Sequence, residues 1–251
     1  MSKMMLLKTT KDNIRFAIES LLEVKKTTSV GTWQSVKSNY KMYEVDNLHL
    51  EMDICKTIDD LAFQTQAHLP WSEDHFLERL AGASNPGKQY KNWPFYSNKI
   101  DNSRFRSTGK FSHTYQERFW PTKKQGIRFI MGDYRDIQNR LRNSPSTRQA
   151  FLSIWHPEDQ SNNDQRLPCT IGYWFKIKDN KLNISYLIRS CDAVRHFKND
   201  IYMTQRLAMD MYEFLKKDPK MVNLKLGKMF MWVGSFHCFE SDKYFLTKSL
   251  K

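Results

Sequence analysis

RLPCTIGYWFKIKDNKLNISYLIRSCDAVRHFKNDIY, residues 166–202, holds two apolar runs separated by a polar turn. Cys169 follows Pro168 at the start of the first run, and Arg189-Ser190-Cys191-Asp192 closes the second. The separation 189 − 169 = 20 suits two antiparallel strands, about 168–177 and 182–190, joined at Lys178-Asp179-Asn180-Lys181. In that register a thiol and a guanidinium sit side by side. Asn199 or Asp200 then caps a helix running to Lys217, with Ile201, Ala208, Met211, Tyr212 and Leu215 as its apolar face.

Outward from this hairpin the periodicity alternates between helix and strand. DNIRFAIESLLEVK, residues 12–25, carries Ile14, Ile18, Leu21 and Leu22 at helical spacing, with Asp12 as the cap. Residues 27–53 are rich in β-branched and aromatic residues and read as strand. WSEDHFLERLA, residues 71–81, is a second helix with Ser72 as cap, Phe76, Leu77 and Leu80 inward, and Gly82 as its stop. The Gly-, Pro- and aromatic-rich stretch up to Pro121 reads as a long packed loop of functional character. A short helix at 134–142 ends at Asn143-Ser144-Pro145, a strand spans Ala150–Trp155, and a last strand from Lys225 reaches His237. No repeat or low-complexity segment divides the chain, so 1–251 reads as one mixed α+β domain.

Composition bounds the function. Hydrophobic residues make up 40% and aromatic ones 14%, which excludes a disordered chain. No run approaches the ~20 apolar residues of a membrane span, and the N-terminal residues lack a secretory pattern, so a soluble cytoplasmic protein is expected. The four cysteines form no CxxC pair, which argues against both a zinc site and a disulfide framework. A net charge of +13 calls for an anionic partner, either a phosphorylated metabolite or nucleic acid, or simply marks a lysine-rich solvated surface.

The residue types around the hairpin can perform nucleophilic chemistry. A thiolate needs a lowered pKa, and a neighbouring arginine supplies that without losing its own charge. Arg189 stands in that relation to Cys169, and it can also grip a phosphate together with Arg148 and the Ser190 hydroxyl. Asp192 and His237 bring a carboxylate and an imidazole to the same region. Each also has a structural reading: Cys169 as packing, Arg189–Asp192 as an ion pair, Asp200 as a helix cap, His237 as a core histidine.

The order of these residues resembles the thymidylate synthase superfamily. The matching motifs are Pro168-Cys169, Arg189-Ser190-Cys191-Asp192, and Asp200 eight positions after Asp192. Asn143-Ser144-Pro145 leading to Arg148, Ser153-Ile154-Trp155 and Gly234-Ser235-Phe236-His237 extend the match over about residues 110–240. The resemblance implies a homodimeric α+β sandwich, with a large mixed sheet and flanking helices. It implies 5,10-methylenetetrahydrofolate as one-carbon donor to C5 of a pyrimidine nucleoside monophosphate. In that scheme Cys169 adds to C6, Arg189 and Ser190 hold the 5′-phosphate, and Arg148 reaches into the partner's site. Asp192 meets the pterin, His237 the sugar and Asp200 the base, while Glu78, preferred over Glu73 by counting back from Gly82, acts as acid/base. No metal is implied.

Departures from the family pattern refine the substrate. Asp200 stands where thymidylate synthases have asparagine, and an ionised carboxylate can only accept, which suits the C4 amine of cytosine. Asn199-Asp200-Ile201-Tyr202 is similar to the sequence of phage deoxycytidylate hydroxymethylases, and Thr170 follows the nucleophile as it does there. Hydroxymethylation of dCMP is the leading expectation, with methylation of dUMP as the alternative. Gln149 replaces a second arginine, Phe239 a sugar-contacting tyrosine, and Lys26 is a weak substitute for the early phosphate arginine. These losses leave room for another class, a basic nucleic-acid-binding module on the same scaffold.

Overall fold

The computed structural model describes residues 8–30, 40–84, 87–95, 111, 113–126, 132–161, 167–248 and 250. Helix α1 spans Thr10–Leu22 and buries Ile14, Ala17, Ile18 and Leu21, the face its spacing predicts. Its cap is Thr9, whose hydroxyl accepts from the Asp12 amide, so Asp12 sits inside the first turn. Strands β1, Thr28–Val30, and β2, Tyr40–Asp53, follow. Helix α2, Ile58–Thr65, leads to α3, Trp71–Ala81, whose bounds match the sequence expectation.

Two details of α3 depart from that expectation. Pro70 occupies the cap position without a side-chain bond, and the Ser72 hydroxyl donates instead to Asn199 Oδ1 at 2.9 Å. Leu77 is 48% exposed, whereas Ser72, Phe76 and Arg79 are buried. Spacings of four and three place those three residues on one helical face, and an arginine therefore points inward. Gly82 ends the helix at φ 61, the left-handed geometry that favours glycine.

Short helices α4, Tyr115–Phe119, and α5, Pro121–Gln125, precede α6, Tyr134–Asn143. Strand β3 covers Phe151–Ser153, shorter than the expected 150–155. Strands β4, Thr170–Lys178, and β5, Lys181–Asp192, form the hairpin read from the sequence, with Asp179 and Asn180 at φ 52 and 56. Asp and Asn tolerate that conformation, and a two-residue turn of this hand matches the twist of the strands. Helix α7, Phe197–Lys216, is capped at His196, so Asn199 and Asp200 lie in its first turn and cap nothing. Strand β6, Lys225–Phe239, and helix α8, Lys243–Lys248, complete the order.

The sheet order is β1-β2-β6-β5-β4-β3, antiparallel except for the β5–β6 pair. Alternation along β5 turns Leu182, Ile184, Tyr186 and Ile188 toward the helices, where α7 buries Ile201, Leu207, Met211 and Leu215 completely. Burial of such side chains contributes about 2 kcal/mol each, which makes this layer the mainstay of the fold. The opposite face carries Asn183, Ser185, Leu187 and Arg189 of β5, none of them buried. Cys169 precedes the start of β4, Arg189 to Asp192 and His237 lie near the ends of β5 and β6, and Asp200 lies in the first turn of α7. Among the described residues no helix is long and apolar enough to cross a membrane.

Candidate active site

The hairpin register sets Cys169 opposite Arg189, whose amide donates to the Cys169 carbonyl at 2.9 Å. The Arg189 side chain crosses to the segment that leads into β4. Its Nε donates to the Pro168 carbonyl at 2.9 Å, an Nη donates to Leu167 at 3.3 Å, and the guanidinium lies 5.6 Å from the Trp155 ring. Cys169 and Arg189 are thus paired through the main chain across the hairpin, while the guanidinium is engaged by the Pro168 and Leu167 carbonyls. Arg189 makes no ion pair with Asp192, which is held by Arg195 instead.

Asp192 Oδ1 accepts from the Val194 and Arg195 amides, both at 2.9 Å, and Arg195 Nε approaches Oδ2 at 3.6 Å. Burial raises this carboxyl, with the Arg195 amide and the His237 charge pulling the other way. In the parallel register Asp192 lies beside His237, and Ser190 beside Ser235, whose hydroxyl donates to Glu44. His237 Nδ1 faces the Ser235 carbonyl at 3.4 Å.

The start of α7 separates Asn199 from Asp200. Asn199 is fully buried and its carboxamide is spent on the scaffold: Oδ1 accepts from the His68 amide and the Ser72 hydroxyl at 2.9 Å each. Its Nδ2 donates to the Arg195 carbonyl at 3.2 Å. Asp200 points the other way and accepts from the Cys191 thiol at 3.8 Å. Burial pushes the Asp200 carboxyl up to about 7, while the Arg79 charge and the thiol hydrogen bond oppose that rise. A half-protonated carboxyl near neutral pH is characteristic of sites that handle protons or charge.

The two candidate glutamates have different surroundings. Glu73 is locked by Arg206, through Nε and Nη2 at 2.8 Å each, and by the Tyr202 hydroxyl at 2.9 Å. Glu78 accepts from Gln116 Nε2 at 2.8 Å, from the amides of Lys88 and Gln89, and meets His75 Nδ1 at 3.3 Å. Burial alone raises Glu78, yet the His75 and main-chain hydrogen bonds prevail and hold it below the usual range. Gly87, at φ +84, lets the loop close over it, since a Cβ there would lie 2.7 Å from Glu78 Oε1.

Arg148 is exposed at the start of β3 and its guanidinium bonds to no described residue, though its carbonyl accepts from Trp174 Nε1 at 3.2 Å. The neighbouring Gln149 accepts from Arg140 at 3.0 Å. Arg148 thus stands apart from Cys169 and Asp200 within one chain. Lys26 lies in the connection between α1 and β1, with no described link to this group.

The structure adds Tyr115, Tyr186 and Arg79, which sequence reading passed over. The Thr170 hydroxyl, next to Cys169, lies 2.9 Å from the Tyr186 hydroxyl and donates to the Tyr115 hydroxyl at 3.3 Å. Burial, then the charges of Cys169 and Asp200, raise the Tyr115 phenol. The Tyr115 ring carries the Arg79 guanidinium 4.4 Å above its centre. Tyr115 lay inside the stretch read as a functional loop. Arg79 left a sharper signal, a charge at helical spacing from Phe76 on the buried face.

A family model for thymidylate synthase matches residues 29–251, and the chain belongs to that family. A deoxyuridylate hydroxymethyltransferase of Bacillus phage SP01 is 35% identical over 89 residues, 33% of this chain and 23% of its own length. A protein of Methanococcoides burtonii described as a provisional thymidylate synthase is 26% identical over 56% of this chain and 59% of its own. The matched regions thus span less than two thirds of either relative. Thermostable thymidylate synthase A from Bacillus subtilis superposes with a TM-score of 0.70 and 14% identity, covering 97% of this chain and 84% of that one. That likeness establishes the α+β fold with its mixed sheet.

Proposed function

We propose that this protein transfers a one-carbon unit from methylenetetrahydrofolate to C5 of a pyrimidine deoxynucleotide, hydroxymethylating dCMP. The observation that carries the choice of base is the orientation of Asp200. The asparagine beside it is consumed by His68 and Ser72, which supports Asp200, in its ionised form, as the group that meets the base. A carboxylate accepts from the C4 amine of cytosine and has no donor for the C4 oxygen of uracil.

In this reading the Cys169 thiolate adds to C6, and the displaced π pair makes C5 nucleophilic. Methylenetetrahydrofolate supplies a methylene carbon at the oxidation level of formaldehyde. Asp192 suits the folate, because its Oδ2 accepts no main-chain amide and can take an N–H of a pterin. Glu78, ionised and backed by Gln116, directs a water that receives the C5 proton. C5 bonds to the donated carbon, loss of the C5 proton expels tetrahydrofolate to leave an exocyclic methylene, water adds to that carbon, and departure of the Cys169 thiolate restores the C5–C6 double bond. Arg189 and Ser190 hold the 5′-phosphate, and His237 the sugar.

A homodimer completes the site by supplying the partner's Arg148. What supports this is the open sheet face, where Phe151 and Phe230 are each 38% exposed and Trp174, Leu187 and Trp232 are only partly covered. The name of the phage relative supports a second reading, with dUMP as acceptor for the same hydroxymethylation. Incubation with methylenetetrahydrofolate and each nucleotide separates them: 5-hydroxymethyl-dCMP is expected, and dTMP accompanied by dihydrofolate would overturn the proposal.

A further inference from the structure

Arg79 is 5% exposed, its Nε is sealed from solvent without an acceptor, and its guanidinium forms no ion pair with any described residue. The other arginines drawn into the interior each have a carboxylate partner, although Arg118 Nε is likewise without an acceptor. Arg118 donates through both Nη atoms to Asp159, at 3.1 and 2.7 Å, and Arg206 is gripped by Glu73. A buried cation without a carboxylate is costly, and folds retain such groups where a ligand completes them.

The surroundings of Arg79 identify that ligand's position. The guanidinium sits over the Tyr115 ring, whose hydroxyl contacts Thr170, the residue after Cys169. Its charge acts on Asp200 and on Tyr173, which stacks on Tyr186 at 5.0 Å. Arg79 is thus joined through Tyr115 to Thr170, next to Cys169 in the chain, and on to Tyr186, and its charge reaches Asp200. Arg79 and Asp200 make no direct ion pair, since no bridge between them closes within bonding distance. One is a donor that never loses its proton, the other an acceptor.

We infer that Arg79 is a specificity-determining residue that donates a hydrogen bond to N3 of cytosine while Asp200 accepts from the C4 amine. This rests on the function proposed above and deepens it. Neutral cytosine presents an acceptor at N3 and a donor at its C4 amine, and Asp200 alone would leave the N3 lone pair facing a carboxylate. Arg79 supplies the missing donor. Uracil carries a hydrogen on N3, which would point at the guanidinium and be repelled. The same placement aids catalysis, because addition of the thiolate to C6 increases electron density at N3, where a fixed cation is most effective.

The test compares dCMP and dUMP in equilibrium binding and in release of tritium from C5, for the wild-type protein, Arg79→Met and Arg79→Lys. Losing a hydrogen bond from a charged donor weakens kcat/KM for dCMP by about 10- to 100-fold, and the preference for dCMP over dUMP falls by a similar factor. Arg79→Lys retains part of the preference. Arg79→Met also melts higher than wild type, as expected when an uncompensated buried charge is removed. An Arg79→Met protein that binds and exchanges both nucleotides in the wild-type ratio overturns the role of Arg79 alone. A wild-type protein that binds neither nucleotide removes the proposed function and this inference together. If Arg79→Met fails to fold, an unchanged ratio in Arg79→Lys together with Arg79→Gln is the refuting result.

Discussion

Replacing Asp200 with asparagine removes a carboxyl pushed up to about 7 by burial, against an ordinary value of 3.8. A carboxyl raised in the folded state contributes stability that is fully present below its unfolded pKa and is lost as pH rises through the folded one. For Asp200 the loss falls between about pH 4 and pH 8. A shift of about three units at 1.36 kcal/mol each sets a ceiling of about 4 kcal/mol, reduced to about 2 by water reaching a partly buried group. The carboxamide of the variant does not titrate, so Asp200→Asn should gain on wild type progressively between those pH values and match it below them. Urea unfolding at pH 4, 5, 6, 7 and 8 measures the difference between the two proteins, in which the other titrating groups cancel. A difference independent of pH would refute the buried, charge-opposed environment assigned to Asp200. The same variant should shift its base preference toward uracil, because a carboxamide offers both a donor and an acceptor.

Three further outcomes are expected. Glu78→Gln should lower C5 exchange by about 100-fold or more and cost about 1 kcal/mol of stability by weakening the bonds from the Lys88 and Gln89 amides, whereas Glu73→Gln should cost about 2 kcal/mol by stranding Arg206 and spare exchange. Asp159→Asn should destabilise the fold by about 3–5 kcal/mol, read from urea unfolding, because Arg118 is buried against both Asp159 oxygens. Arg148→Ala and Cys169→Ser, each inactive alone, should recover about one quarter of wild-type activity when mixed as a dissociating dimer, and a silent mixture would place Arg148 outside the partner's site.

The hairpin was legible because Asp179-Asn180 between two apolar runs is a local signal, and the twenty-residue spacing of Cys169 and Arg189 follows from strand pairing alone. Helix α3 was legible to its ends for the same reason, since Gly82 stops it locally. Caps were read less well. Thr9 and Asp12 both satisfy the chemistry of a helix start, and only the geometry shows that the threonine accepts from the aspartate amide. Position relative to Gly82 favours Glu78 over Glu73, but the partner that occupies Glu73, Arg206, lies 133 residues away and leaves no local signal. The same holds for the base-reading residue: Asn199 and Asp200 differ by one position, and what separates them is the long-range claim of His68 and Ser72 on the asparagine. Arg79 broke the apolar pattern of its helix, and such local violations are where functional residues are expected.

The central claim is covalent attack by Cys169 on C6 of a pyrimidine nucleotide. A nucleotide with fluorine at C5 cannot release that position as a proton leaves, so attack followed by one-carbon transfer should stop at a stable adduct. Intact-mass measurement after incubation with methylenetetrahydrofolate and 5-fluoro-dCMP should show the chain heavier by nucleotide plus folate, with Cys169→Ser showing no gain. An unmodified wild-type chain, or an adduct that persists in Cys169→Ser, would contradict the account.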